Sequence, residues 1–467
     1  MQQLSPMDAL MLYIESASAP NQLNPVIVYE PSSTESGVVR FKEILDNIAS
    51  RLHLAPSFRR KLVFPPLNLD DPYWVDDENF DLEFHVRHIA LPKPGDWRQF
   101  CILISRLIAQ RVDLSRPPWE IIVIEGLDNI EGLPAGSFAV LYKIHHACMD
   151  GISGAELMSV LQDLGPETNN RITAPEWHPK SAPGQYQLLY RAGKKLLSRP
   201  SHTLGVARKI FPVLRAGKTV EKKRAAGLRV PHTRFNNAPS PQRAFDACFF
   251  ALSDIKKIRN LAAGATVNDV ALAIVAGGLR NYLLAKNELP EGSLVAGVPV
   301  STRSAGSAGG NEISAQTSKL YTDIEDPRQR LIAICEAMQE NKAYLNAVGA
   351  KELAGLSTIM PGQILAYMAK TALSLSARMG RDLLCNTIVT NVPGAQVPLY
   401  FTGAKAVKMF GGGPILLNIS LTHVISSYCG EMAVNITACR KLMPDPAFYR
   451  ECIQASFDEL LAASAAL

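Results

Sequence analysis

The residues in this chain best suited to chemistry are the run His145-His146-Ala147-Cys148-Met149-Asp150-Gly151. An imidazole, with an ordinary pKa of about 6.5, takes a proton from a bound hydroxyl near neutral pH. The segment from Phe138 to His146 reads as a strand. Alternation then puts Phe138, Val140, Tyr142, Ile144 and His146 on one face and turns His145 to the other. Two adjacent histidines on an extended chain cannot both hold one ion without a sharp bend, and the eight cysteines show no CxxC spacing, so no metal is expected. Cys148 lies two residues from His146, and a Cys–His nucleophile pair is the competing chemistry. By itself, a histidine at a strand end is more often a hydrogen-bonded packing residue.

The flanking elements bring His146 to a usable place. Asp150-Gly151 supplies turn chemistry, and Ser153-Gly154-Ala155-Glu156 has the capping-box pattern that opens a helix. Leu157, Val160, Leu161 and Leu164 follow at helical spacing, so His146 sits on the loop between a strand and a helix. Further along, Thr266-Val267-Asn268-Asp269 either starts a helix or offers the Asn268 amide to an oxyanion. Asn391-Val392-Pro393-Gly394 reads as a tight turn, and Pro117 and Trp119 as residues that shape structure or a channel.

A chain of 467 residues is long enough for two cores. The expected division is an α/β unit over residues 1–165, a connection containing helix over 166–242, and a second α/β unit over 243–467. Arg191 to Arg234 contains thirteen Lys/Arg and one acid, Glu221, a local balance of +12; the net charge of +5 leaves −7 for the rest. Such a block attracts an anion, whether a phosphate-bearing ligand or an acidic lipid surface. Leu188, Leu189, Leu196, Leu197, Leu204, Ile210 and Phe211 are loosely periodic there, which fits an interfacial helix and equally a solvated crossover helix. No nucleic-acid motif accompanies the charge, so nucleic acid is not an expected partner.

The N-terminus interrupts any signal-peptide core with Asp8 and Glu15, and no apolar run reaches about 18 residues. Val270 to Leu279 reads as a buried helix. These features predict a cytoplasmic protein with reduced thiols and peripheral contact, if any, with a membrane or lipid droplet.

The histidine run matches HHxxxDG, the signature of a superfamily that includes chloramphenicol acetyltransferase and peptide-synthetase condensation domains. The likeness goes further with one branch. Leu4-Ser5-Pro6-Met7-Asp8, Pro117-Pro118-Trp119-Glu120, Asn268-Asp269, Asn391-Val392-Pro393-Gly394 and Gly411-Gly412-Gly413-Pro414 occur in order. Together they resemble bacterial wax ester synthases/acyl-CoA:diacylglycerol acyltransferases across nearly the whole chain. Pro118 stands where that family's PLW element has leucine, and Ala395 replaces the final proline of NVPGP.

The resemblance implies two α/β domains with mixed sheets and a central tunnel, as in chloramphenicol acetyltransferase. It implies transfer of a long-chain acyl group from acyl-CoA, a substrate rather than a cofactor, to a fatty alcohol or diacylglycerol. His146 would be the base in a direct attack. Asp150 would hold the loop by pairing with an arginine, for which Arg303 is the candidate, and Gly151 would make room for substrate. His145 would be mainly structural and Cys148 a bystander. A related enzyme using another acyl carrier or acceptor, and an inactive lipid-surface protein, are the alternatives.

Overall fold

The computed structural model describes residues 1–149, 154–167, 176–198, 229–301, 313–348, 362–379 and 384–465. Asp150, Gly151 and Arg303 lie outside these residues, as do residues 199–228 of the basic block, so their expected roles are not placed by the structure.

Two mixed six-stranded sheets and a small three-stranded one organise the described chain. The small sheet pairs β1 (Gln2–Gln3) with β4 (Tyr73–Asp76) and β4 with β3 (Arg60–Val63). In the first large sheet, β2 (Gln22–Glu30) and β6 (Trp119–Glu125) flank β7 (Phe138–His145), with β5 (Val86–Ala90) parallel to β6 at one edge. In the second, the order is β10 (Ile313–Lys319), β9 (Val295–Ser301), β11 (Thr387–Pro393), β14 (Leu421–Tyr428), β15 (Glu431–Cys439) and β8 (Arg243–Ala251). The pairs β9–β11 and β11–β14 are parallel and the others antiparallel.

Strand β7 is buried along its whole length, its apolar residues divided between both faces as a central strand requires. On one face Phe138, Val140, Tyr142 and Ile144 pack against helices Pro6–Ile14 and Phe41–Arg51. On the other, Ala139 and Leu141 pack against helix Trp97–Ala109, joined there by Phe245 and Ala247 of β8. Lys143, in register opposite Glu120 of β6, is tolerated inside because its ammonium lies 3.1 Å from that carboxylate. In the second half, helix Val267–Ala285 packs on helix Pro446–Ala465 over the second sheet, and Val270 to Leu279 are all buried.

One sheet does not respect a division at residue 243. Strands β12 (Tyr400–Phe401) and β13 (Ala404–Gly412) extend the first sheet, β13 pairing antiparallel with β2. The second α/β region, expected over 243–467, thus lends two strands to the sheet of the first. The crossing covers the edge of β2, which would otherwise present an unpaired row of backbone groups. Gly411 makes the close approach possible: at φ +153, a Cβ there would stand 2.3 Å from the Asn24 carbonyl oxygen.

Candidate active site

Strand β7 ends at His145, one residue earlier than the alternation predicted, and His146–Met149 forms a 3-10 turn. Helix Gly154–Leu161 follows, three residues shorter at its C-terminus than expected. The ladder's last grip on the strand is the His146 N–H, which donates to the Asn21 carbonyl at 3.0 Å. The next N–H, of Ala147, donates to Nδ1 of His145 at 3.1 Å. His145 is fully buried on the face opposite Val140 and Tyr142, as expected. With Nδ1 accepting, its proton resides on Nε2, and the imidazole is neutral: burial pushes its pKa down to about 3.

His146 is half-buried where the strand gives way to the turn. Its Nδ1 is enclosed and has no hydrogen-bond partner of good geometry. Burial lowers the imidazole's pKa, opposed only by the residue's own carbonyl. The ring is therefore a free base at neutral pH. Cys148 is enclosed, with Sγ 3.6 Å from the Pro118 carbonyl, and burial drives its thiol pKa far above the usual range. A thiolate is the nucleophile and a thiol is not. Cys148→Ala is expected to leave kcat within a few-fold in a coupled CoA-release assay, and a collapse would indicate an acyl-cysteine.

The Pro117-Pro118-Trp119 element braces this turn from the side. The Pro118 carbonyl accepts the His145 N–H at 3.0 Å, and the Trp119 N–H closes onto the Pro117 carbonyl at 2.8 Å. Trp119 is 1% exposed; its Nε1–H donates to the Phe58 carbonyl at 3.0 Å, and its own carbonyl accepts from His85 Nδ1 at 2.8 Å. Rings of His85 and Phe58 lie 4.5 and 5.3 Å away. Trp119 is thus packed into the core beside the turn, with Pro117 tied to it through its carbonyl. Ser5 caps helix Pro6–Ile14, with Pro6 in its first turn and Asp8 bonded back to Ser5, and this helix packs on the His146–Met149 turn.

The Asn268-Asp269 pair divides its roles. The Asp269 carboxylate accepts the Thr266 N–H and Oγ1–H, both at 2.8 Å, and is buried as a helix cap. Asn268 is half-buried, and its Oδ1 faces Nδ2 of Asn391 at 3.5 Å, across 123 residues of sequence. The amide N–H groups of Asn268 therefore point away from Asn391. The tight turn expected over Asn391–Gly394 is corrected: Asn391 to Pro393 is the last part of β11, in parallel register with Ile425 to Ser427. Gly394 follows because its N–H donates to the Ser427 carbonyl at 3.0 Å, and a Cβ would stand 2.3 Å from that oxygen.

A cavity of about 250 Å³ lined by Trp97, Phe100, Phe249 and Phe410 reaches Val28 of β2. Val28 pairs with Ala139, six residues before His145 and so about 20 Å along the strand, which separates this cavity from His146. Among the described residues no cluster of His, Cys, Asp and Glu could hold a metal ion, and no helix is long and apolar enough to cross a membrane. All eight cysteines are free.

Residues 4–271 match the wax ester synthase/diacylglycerol acyltransferase catalytic domain, and residues 309–461 match the C-terminal domain of the same enzymes. The chain belongs to this family. A Mycobacterium tuberculosis relative provisionally named a diacylglycerol O-acyltransferase is 33% identical, over 98% of this chain and 91% of that one. The O-acyltransferase WSD of Acinetobacter baylyi is 29% identical, over 95% and 93%. Among solved structures, the wax ester synthase/diacylglycerol acyltransferase of Marinobacter aquaeolei superposes with a TM-score of 0.71 at 25% identity, covering both chains completely. A condensation domain of the calcium-dependent antibiotic synthetase superposes at 0.58 and 14% identity, a likeness of fold alone. This family member is an acyltransferase with the two-domain fold expected from its motifs.

Sequence reasoning missed Glu15, Asn21 and Arg111, which surround the turn from loops. No spacing or periodicity marks them; only the pairing of β2 with β7 brings Asn21 beside His146.

Buried neutral imidazoles also set a pH limit on stability. His145 and His423 are both pushed down to about 3, the latter wedged between Thr387 Oγ1 and Tyr449 OH. In the unfolded chain each regains a pKa of about 6.5, so below that pH the unfolded state binds more protons. Stability is complete above about pH 6.5 and is lost as pH falls from there toward 3. By pH 5 each histidine is expected to cost roughly 2 kcal/mol, readable as a falling urea midpoint.

Proposed function

We propose that the enzyme transfers a long-chain acyl group from acyl-CoA to the hydroxyl of a fatty alcohol or diacylglycerol, with His146 as general base. Nε2 takes the hydroxyl proton as the oxygen attacks the thioester carbonyl. The tetrahedral intermediate collapses with cleavage of the C–S bond, and the departing CoA thiolate recovers the proton from the imidazolium. No redox cofactor or metal is needed for this balance; acyl-CoA is the co-substrate. The observation that carries the reading is a neutral, half-buried imidazole presented at the end of the buried strand β7, in a chain matched by the family over nearly its whole length.

The Asn268 side-chain amide is the proposed donor to the oxyanion, its Oδ1 being turned toward Asn391. Asp150 paired with Arg303 would hold the loop, and Gly151 would leave room for the acceptor, in a tunnel between the two halves. Substrates of this kind reside in lipid, and two helices offer a peripheral contact. Tyr186 and Tyr190 of Gln185–Ser198, and Tyr367 and Met368 of Gly362–Met379, expose their side chains. Both helices are tied to the same segment, through Lys195 to Asp70, Gly362 N–H to Asp71, and Gln363 to the Asn68 carbonyl. Those exposed side chains, on a helix from which the basic block continues in sequence, suit a membrane or droplet surface.

Purified protein supplied with palmitoyl-CoA and either hexadecanol or diolein tests the reading. Release of CoA matched by wax ester or triacylglycerol is expected. Absence of product with both acceptors would remove it.

A further inference from the structure

The geometry points to Glu15 as the residue that positions the candidate base, acting on the backbone N–H groups of His146 and Ala147 through Asn21 and His145. Its side chain is 1% exposed, and Arg111 holds Oε2 at 2.6 Å from Nη2. Oε1 accepts the Asn21 N–H at 3.2 Å, and the Asn21 carbonyl in turn takes the His146 N–H at 3.0 Å. Oε2 lies 3.9 Å from Nε2 of His145, beyond hydrogen-bond length but close enough for an enclosed carboxylate to favour a proton on that nitrogen. With the proton there, Nδ1 of His145 is free to accept the Ala147 N–H. One carboxylate thus orders the N–H groups of His146 and Ala147, each through a single intermediary.

A further tie keeps Asn21 itself in place, since its Nδ2–H donates to the Met11 carbonyl at 2.6 Å. Arg111 is half exposed and reaches the carboxylate from a loop, which makes it an anchor for Glu15. Among their polar contacts none is with a His146 side-chain atom, so Glu15 and Arg111 are positioning residues. The role rests on the proposal that His146 is the base. Misplacing a catalytic group by about 1 Å costs up to about a hundredfold in rate.

The test combines kinetics with histidine NMR. Glu15→Leu is expected to lower kcat tenfold to a hundredfold, with KM for palmitoyl-CoA and hexadecanol within about twofold and a cooperative thermal transition. Glu15→Gln, which can still accept the Asn21 N–H, should recover part of the loss. Arg111→Met should lower kcat less, and adding it to Glu15→Leu should cost nothing further, because it acts through Glu15. Selective 15N-histidine labelling, with His145 assigned by loss of its signals in His145→Asn, should show a neutral ring protonated on Nε2, and Glu15→Leu should weaken that preference. A wild-type His145 protonated on Nδ1, or a Glu15→Leu variant with unchanged tautomer and kcat, would overturn the inference. Absence of acyl transfer by the wild type would instead overturn the proposed function, and the tautomer measurement would still decide whether Glu15 sets the proton on His145.

Discussion

His146→Ala is expected to lower kcat for wax ester or triacylglycerol formation by a hundredfold to ten-thousandfold, the usual range for removing a general base. The substitution deletes a half-buried ring whose Nδ1 makes no well-formed hydrogen bond to the rest of the protein, so little folding energy depends on it. The His146 N–H to the Asn21 carbonyl is a backbone bond and survives the change. KM for acyl-CoA should move little, and circular dichroism and the melting transition should match the wild type. The wild-type kcat/KM should also be flat through neutral pH and fall only on acidification below the ordinary imidazole range. That sign follows from burial: the lowered pKa keeps the base form populated until the solution is more acidic. A variant that turns over normally would remove His146 from the mechanism while leaving the family assignment intact.

Trp119→Ala is expected to be the most damaging change to folding, costing about 3–5 kcal/mol. The indole is enclosed by Phe58, Phe80 and His85, and its removal also leaves the buried Phe58 carbonyl without a donor. Trp119→Phe keeps most of the apolar contact and should cost about 1–3 kcal/mol, chiefly for that carbonyl. Urea unfolding monitored by circular dichroism separates the two. Activity should follow stability here, because the residue before Trp119 holds the His145 N–H. A kcat lost in Trp119→Phe at full stability would show that the indole contacts substrate.

The parts of this architecture that depend on local pattern were readable from the residues. FAVLYKIHH read as a strand, Val270 to Leu279 as a buried helix, and Thr266 to Asp269 as a helix start or an oxyanion donor; the strand, the helix and its capped start are present. The ordered motifs carried the family and with it the pairing of two α/β halves. What escaped was long-range. Nothing in Ala404–Gly412 distinguishes a strand that stays with its own half from one that crosses to β2, since the apolar pattern suits either sheet. Asn391 to Pro393 looked like a turn because Asn, Pro and Gly are turn residues, but parallel pairing with β14 holds them extended. Glu15 and Arg111 carry no signature, being single charged residues in loops whose meeting depends on the fold. His145 was assigned correctly to the opposite face by alternation alone, whereas its capture of the Ala147 N–H needed coordinates.

Rapid-quench analysis of enzyme mixed with radiolabelled palmitoyl-CoA, with and without hexadecanol, tests direct base-catalysed transfer most immediately. Without acceptor, no CoA should be released in a burst and no label should remain on the denatured protein. With acceptor, CoA and wax ester should appear together at one rate, and that rate should collapse in His146→Ala. A burst of CoA equal to the enzyme concentration in the absence of alcohol, with label on the protein, would contradict the account.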